Sequence, residues 1–277
     1  MKADNKIVGF VLSGGGARGM AHIGFMKVIY QEGIKFDLIC GTSFGGFIGA
    51  ALATGISPLD LEKEALRMAQ TREFIKLIDP NPLRRGLFEG IRVKAYLENL
   101  IGKNHSFESL LFPLKVIAVD LITGTEVVLQ SGPLLPAIYA TIAIPGIFQP
   151  VELGHQLLVD GGVLNNLPVD HARNAGAEVM IAIDVQPVVG FENPWDYSRN
   201  PNRLIPESLV SMYRAENIRS NHQTSTHLKN YPPDLLIKPS IPDEIDSLFG
   251  FKYAAEIIKI GEKAAWEAIP RIKSLGL

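Results

Sequence analysis

Short runs rich in Val, Ile and Phe alternate along this chain with stretches whose apolar positions recur at helical spacing. That alternation predicts βαβ units, an α/β fold with a largely parallel sheet and helices on both faces. "KIVGFVLS" (6–13) reads as a first strand and 17–32 as the helix after it, with Gly33 as its stop. "FDLICG" (36–41) reads as the second strand, followed by "SFGGFIGAALATG" (43–55), a helix of small residues. In "SPLDLEKEALRMA" (57–69), Ser57 is the expected N-cap, Pro58 takes the first helical position and Asp60 completes a capping box. A Pro/Gly-rich loop, "DPNPLRRGLFEGIR" (79–92), precedes a helix over 93–101. Further strands are expected at "LKVIAVDL", "TEVVLQ" and "AEVMIAIDV", with a hairpin at "VELGHQLLVDGG" (151–162). After Pro187 the texture changes to a polar, aromatic loop, a long helix over 207–228, a strand "DLLIKP" and helical residues from Phe251.

Composition bounds this picture without redirecting it. The chain has 277 residues, 47% hydrophobic, enough for one sizeable core and compatible with a single domain over 1–277. With 27 basic and 29 acidic residues the formal charge is −2, so nothing in the charge points to nucleic acid. The lone Cys40 cannot form an intrachain disulfide and fits a reducing compartment. The apolar run before Ser13 is too short for a signal-peptide core, and the expected location is cytoplasmic. The longest uncharged stretch, 127–151, is interrupted by Gly132, Pro133, Pro136, Pro145, Gly146 and Pro150. It reads as buried protein and not as a membrane span.

Two glycine motifs carry candidate chemistry. Gly14, Gly16 and Gly19 in "GGGARG" satisfy G-x-G-x-x-G, and consecutive glycines can converge exposed N–H groups on one oxygen. Gly41, Ser43 and Gly45 in "GTSFG" satisfy G-x-S-x-G with a strand before and a helix after, the context in which a serine is held strained and exposed. A serine hydroxyl needs a base. The six histidines, His22, His105, His155, His171, His222 and His227, lie in no context that announces one, and His22 reads as a packed residue of the first helix. Asp160, ending an apolar strand before Gly161 and Gly162, is the better candidate, although an Asp-Gly turn is common in any protein.

Taken together, "GGGARG" (14–19), "GTSFG" (41–45) and "DGG" (160–162) closely resemble the patatin-like phospholipases. "ATIAIPGIFQP" (140–150) and "GLFEG" (86–90) are similar to further blocks of that family. The resemblance spans about 7–185 and leaves a mostly helical C-terminal portion, 186–277. It implies a three-layer αβα sandwich and an esterase acting on acyl esters of lipids. It further implies Ser43 as nucleophile, Asp160 as general base, and an oxyanion hole from the N–H groups of Gly14, Gly15, Gly16 and Arg18. No metal or cofactor is implied. An aspartate is ordinarily a poor base, with a pKa near ~3.9. Burial beside Ser43, away from cations, is expected to raise it, with the hydroxyl donating to the carboxylate.

Phe44 stands where the family usually has a smaller residue, and Thr141 where serine is common. Three rival readings compete. A dinucleotide site would place its acidic residue at the end of the second strand, whereas Asp37 stands at its start, and no Gly-Lys-Ser/Thr makes a P-loop. No nucleotide cofactor is therefore expected. An α/β-hydrolase triad would use Ser43, Asp160 and His171 or His222, but only one strand precedes the serine strand here. A non-catalytic lipid-binding protein on the same fold would not need the intact Ser43, Asp160 and glycine loop. Leu83, Arg84, Arg85, Leu87, Phe88 and Arg92 combine basic and apolar groups in one loop, suited to peripheral contact with a membrane inner face or to a flap.

Overall fold

The computed structural model describes residues 6–70, 73, 77, 79, 88–187, 207–248 and 250–277. Strand β1 (Val8–Leu12) leads through a short 3-10 turn (Gly16–Gly19) into α1 (Met20–Gln31). Next come β2 (Leu38–Thr42), α2 (Phe44–Ala53) and α3 (Pro58–Met68). Ser57 caps α3 by accepting the Asp60 N–H at 3.1 Å, and its own hydroxyl donates to the Asp60 carboxylate. Helix α4 (Ile91–Ile101) precedes β3 (Leu114–Asp120) and β4 (Thr125–Leu129). Then follow α5 (Leu134–Thr141), the β5 (Val151–Leu153) and β6 (Gln156–Asp160) hairpin, α6 (Val169–Asn174) and β7 (Val179–Ile183). The described C-terminal part holds α7 (Glu207–Asn230), β8 (Leu235–Ile237) and α8 (Ala254–Ser274).

The eight strands form one sheet, parallel through β3-β2-β1-β7-β8 and antiparallel where β3 meets β4 and β6 and where β5 meets β6. The expected parallel sheet is therefore the centre of a mixed one. Side chains alternate across it, as strand geometry requires. Phe10, Leu12, Ile39, Ile181 and Ile183 face a core shared with α1, α2, α5 and α8. Val11, Cys40, Met180 and Ala182 face the other layer, with Leu167, Val169 and Ala172 around α6 and Leu228 of α7 packed against it. Helices on both faces make the αβα sandwich.

The pairing of β3 positions the chemistry. Strand β4 overlaps positions 116–120 of β3, so it occupies one edge alone. Both other partners must share the opposite edge. On it β2 ends with Thr42 opposite Ile117, and β6, arriving antiparallel, ends with Asp160 opposite Ala118. Two strands thus meet end to end at adjacent positions of β3, and the residues just past their tips converge.

The uncharged stretch 127–151 is buried protein in part through α5, whose Pro136 sits in the first turn where its missing N–H is tolerated. Among the described residues no helix is long and apolar enough to cross a membrane. Leu83, Arg84, Arg85 and Leu87 of the basic, apolar loop lie outside the described residues. Phe88 lies within them, its N–H bonded to Ile147 O at 2.9 Å.

Candidate active site

Strand β2 ends at Thr42 and α2 begins at Phe44, so the chain turns from strand to helix at Ser43. The turn sets Ser43 at φ 53 and ψ −127, and among the described residues no other non-glycine has a positive φ. Such a backbone costs on the order of 1–3 kcal/mol and persists only where its surroundings hold it. The Thr141 hydroxyl does so, accepting the Ser43 N–H at 2.8 Å while donating to the Ile117 carbonyl at 2.6 Å. On the other side the Thr42 hydroxyl donates to the Asn165 carbonyl at 2.8 Å.

The Ser43 hydroxyl donates to Asp160 Oδ2 at 2.6 Å, and the Gly162 N–H donates to Oδ1 at 2.8 Å. Ser43 and Asp160 are buried, 6% and 5% exposed. Burial pushes the Asp160 carboxyl up to about 7 from an ordinary 3.8, the nearby charge of Glu216 adds to the rise, and the bonds from Ser43 and Gly162 oppose it. A carboxylate of that basicity is matched to accepting a proton near neutral pH.

The glycine loop lies directly against this pair. A Cβ on Gly14 would stand 2.9 Å from Ser43 Cβ and 2.2 Å from Asn166 Oδ1, so only glycine lets the loop approach so closely. Two of the four expected oxyanion donors are engaged elsewhere. The Gly14 N–H donates to Asn166 O at 3.0 Å and the Arg18 N–H to Gly15 O at 3.1 Å. Among the described residues nothing accepts from the N–H groups of Gly15 and Gly16, both partly exposed. Of the four N–H groups, these two are the ones left open. Arg18 serves another purpose: its buried guanidinium donates to the carbonyls of Val185, Ile241, Pro242 and Ile245, tying the loop to the 241–247 segment.

None of the histidines reaches the pair among the described residues. His22 is packed within α1, donating Nε2–H to the Ser13 carbonyl at 2.9 Å, and burial lowers its pKa to about 4. His171 contacts Glu126. Neither it nor His222 is bonded to Ser43 or Asp160, so the triad reading finds no support in the geometry.

A family model described as Patatin-like phospholipase matches residues 10–173. The chain belongs to the patatin-like phospholipase family. Related sequences include an uncharacterized NTE family protein of Mycobacterium bovis, 34% identical over 178 residues that make up 64% of this chain and 49% of that one. Patatin-like phospholipase domain-containing protein 7 of Rattus norvegicus is 35% identical over 183 residues, 64% of this chain and 13% of the rat protein. The match thus spans about half the length of that mycobacterial relative and a far smaller share of the rat protein. Among solved structures, VipD from Legionella pneumophila aligns with a TM-score of 0.45 at 14% identity, over 93% of this chain and 67% of VipD.

Within this patatin-like chain, Phe44 packs its ring on Phe47 and Phe251, with centroids 5.3 and 6.3 Å away, and covers Gly19. A Cβ on Gly19 would lie 2.6 Å from Phe44 Cδ1, so the last glycine of G-x-G-x-x-G makes room for this bulkier residue. Asn165 and Asn166 are the site residues that sequence reasoning passed over, and Thr141, noted there only where serine is common in the family, was given no role. Their neighbourhood in "ATIAIPG" and "DGGVLNNLP" was the available signal, but their roles depend on contacts 98 and more residues away. Thr141→Val keeps the shape and removes both hydrogen bonds, leaving a buried donor and acceptor unpaired. It is expected to destabilise the protein by about 2 kcal/mol in urea unfolding, with Thr141→Ser losing less than half as much. Equal stability of the two variants would contradict the bracing role.

Proposed function

We propose that the protein is a lipid acyl hydrolase, a serine esterase acting on acyl esters of phospholipids or lysophospholipids. The observation that carries the reading is the 2.6 Å hydrogen bond from the strained Ser43 hydroxyl to the buried Asp160 carboxylate. In the first half-reaction Ser43 Oγ attacks the ester carbonyl carbon and its proton passes to Asp160 Oδ2. The carbonyl oxygen becomes an oxyanion facing the N–H groups of Gly15 and Gly16, where each donor contributes roughly 3 kcal/mol to the transition state. As the C–O bond to the alcohol breaks, Asp160 returns the proton to the departing oxygen. In the second half-reaction water gives a proton to Asp160 and attacks the acyl-serine. The fatty acid leaves and the proton returns to Ser43.

The helix N-terminus after Ser43 favours negative charge developing there, and burial excludes the water that would otherwise compete for the carboxylate. Peripheral contact with a membrane surface through the 79–92 loop belongs to the same proposal, since the substrate is a lipid.

The test pairs a fluorophosphonate probe with a screen of phospholipids, lysophospholipids and short-chain esters, on the wild type and Ser43→Ala. One probe molecule per chain and release of fatty acid are expected from the wild type only. A correctly folded wild type that neither labels nor turns over any ester would make the chain a lipid-binding member of the fold.

A further inference from the structure

The proposed hydrolysis needs the N–H groups of Gly15 and Gly16 to face one oxygen, yet among the described residues neither amide has an acceptor to hold it in place. Their direction is set from behind. A trans peptide carries its N–H and C=O in opposite directions, so whatever holds the carbonyl aims the amide of the next residue. The Ser13–Gly14 peptide is held at both ends: His22 Nε2–H donates to the Ser13 carbonyl at 2.9 Å, and the Gly14 N–H donates to Asn166 O at 3.0 Å. In the Gly15–Gly16 peptide the Gly15 carbonyl accepts the Arg18 N–H at 3.1 Å, a bond made by the backbone of the 3-10 turn itself. The Gly14–Gly15 peptide between them is held by a side chain. Its Gly14 carbonyl accepts from Asn166 Nδ2 at 3.3 Å, and among the described residues nothing else binds it.

One amide therefore governs the middle peptide. Both torsions that rotate it, ψ of Gly14 and φ of Gly15, belong to glycines, which have no side chains to oppose the turn. A carbonyl oxygen can only accept, so it is the amino group of Asn166 that faces Gly14. The Oδ1 of the same side chain would stand 2.2 Å from a Cβ on Gly14 and 2.9 Å from one on Gly162. Asn166 thus fills the space between the glycine loop and the turn whose Gly162 N–H holds the Asp160 carboxylate. Its backbone is fixed through its neighbours. The Thr42 hydroxyl donates to the Asn165 carbonyl at 2.8 Å, Asn165 Nδ2 donates to Asp170 Oδ1 at 2.8 Å, and Leu167 is fully buried. The amide is presented to Gly14 from a rigid support.

On the lipid hydrolase reading given above, on which this rests, we infer that Asn166 is the positioning residue of the oxyanion site: its side-chain amide holds the Gly14 carbonyl and so turns the Gly15 N–H toward the oxyanion. Among the described residues no hydrogen bond joins it to Ser43 or Asp160, so it acts on the reaction through the loop. The Gly15 N–H is called on only as charge develops on the ester oxygen. Losing its aim is therefore a loss in kcat and not in KM. Asp160 keeps its bonds from Ser43 and Gly162, so its titration stays where it is.

The wild type and Asn166→Ala are compared in ester turnover from about pH 5 to 9, with active sites counted by fluorophosphonate labelling carried to completion. Per labelled chain, kcat is expected to fall about 10²-fold, with KM within about threefold and the pH of half-maximal kcat/KM unchanged. A long-chain alkyl trifluoromethyl ketone gives a second reading. Ser43 Oγ adds to its carbonyl carbon, the Ser43 proton passes to Asp160, and the ketone oxygen becomes an alkoxide in the place of the oxyanion. Its affinity is expected to fall by the same ~10²-fold. A role in packing alone would lower the number of labelled chains and leave kcat per labelled chain as it was. If Asn166→Ala fails to fold, Asn166→Leu, which keeps the branched shape and lacks the donor, is expected to show the same losses. Unchanged kcat per labelled chain in a folded variant, or a shifted pH midpoint, overturns the inference and leaves the Ser43–Asp160 chemistry standing. A wild type that neither labels nor turns over any ester overturns both.

Discussion

Asp160→Asn is expected to lose about 10³–10⁴-fold in kcat while melting at a higher temperature than the wild type at pH 8. The two effects share one cause. The wild-type carboxyl is buried, and its pKa stands at about 7 against an ordinary 3.8. Below about pH 4 it is neutral in the folded and unfolded chains alike and the native state carries no penalty. Between about 4 and 7 the unfolded chain has released its proton while the native chain retains it, so stability falls as pH rises. Above 7 the native carboxylate is ionised, at a penalty of roughly 4 kcal/mol relative to the low-pH limit. Asparagine never ionises, and with Nδ2 turned to Ser43 Oγ and Oδ1 to the Gly162 N–H it keeps both contacts. The stability gain should thus grow from near zero at pH 4 to its full value above pH 7, read by thermal melts across that range. Activity runs the other way. Because the ionised form is the base in the proposed mechanism, wild-type kcat/KM should climb tenfold per pH unit below 7 and level off above it. A variant that melts alike at pH 8, or a gain independent of pH, would show that the carboxyl is not held against its charge. Full activity in Asp160→Asn would remove it as the base.

What the amino-acid sequence discloses here depends on how local the cause is. The βαβ alternation, the Ser57 cap and the strand–Ser43–helix turn are set by residues within one turn or one strand, and they stand in the structure where the periodicity puts them. The meeting of Ser43 with Asp160, 117 residues apart, has no local cause. It follows from β2 and β6 ending at adjacent positions on the same edge of β3, a register that no short pattern encodes. Only the family resemblance made that pairing legible. Helix α5 was hidden behind Pro133 and Pro136, which read as breakers but sit at and just inside its N-terminus. Helix α6 has six residues, too few to show a period. The glycine loop was legible as a source of N–H groups. Which of them stay open was not, because the acceptor of the Gly14 N–H comes from Asn166 across the sheet.

A single methyl group should separate the two glycines that follow Phe44. On Gly45 a Cβ would stand 2.3 Å from the Leu12 carbonyl oxygen and 2.6 Å from that of Ser13. On Gly46 its nearest neighbour would be the Gly41 oxygen at 3.1 Å, followed by side-chain carbons at 3.3 Å. Both lie in α2, where alanine is the better helix former by about 1 kcal/mol, so propensity favours both changes equally. The difference lies in what must move. Leu12 and Ser13 are the last residues before the glycine loop, and their backbone is fixed: the Ser13 N–H donates to Ile183 O at 3.1 Å and its hydroxyl accepts the Val185 N–H at 2.9 Å. Gly45→Ala must therefore wedge α2, which carries Ser43 at its start, away from the segment that presents the Gly15 and Gly16 N–H groups. A displacement of about 1 Å between nucleophile and oxyanion donors is worth roughly 10²-fold in rate, and overpacking of this kind destabilises by about 1–3 kcal/mol. Gly46→Ala needs only a few tenths of an ångström from neighbours that include the Thr141 and Val116 side chains. It should keep activity within about threefold and stability within about 1 kcal/mol. Ester turnover and urea unfolding of the two variants side by side give the answer. If Gly45→Ala behaves like Gly46→Ala, the spacing between the Ser43 turn and the glycine loop is not set by this contact. If both lose activity together, α2 as a whole tolerates no added volume and the argument from the β1 carbonyls falls. The expected split would place the control of oxyanion geometry in a helix glycine that touches neither substrate nor Ser43 Oγ.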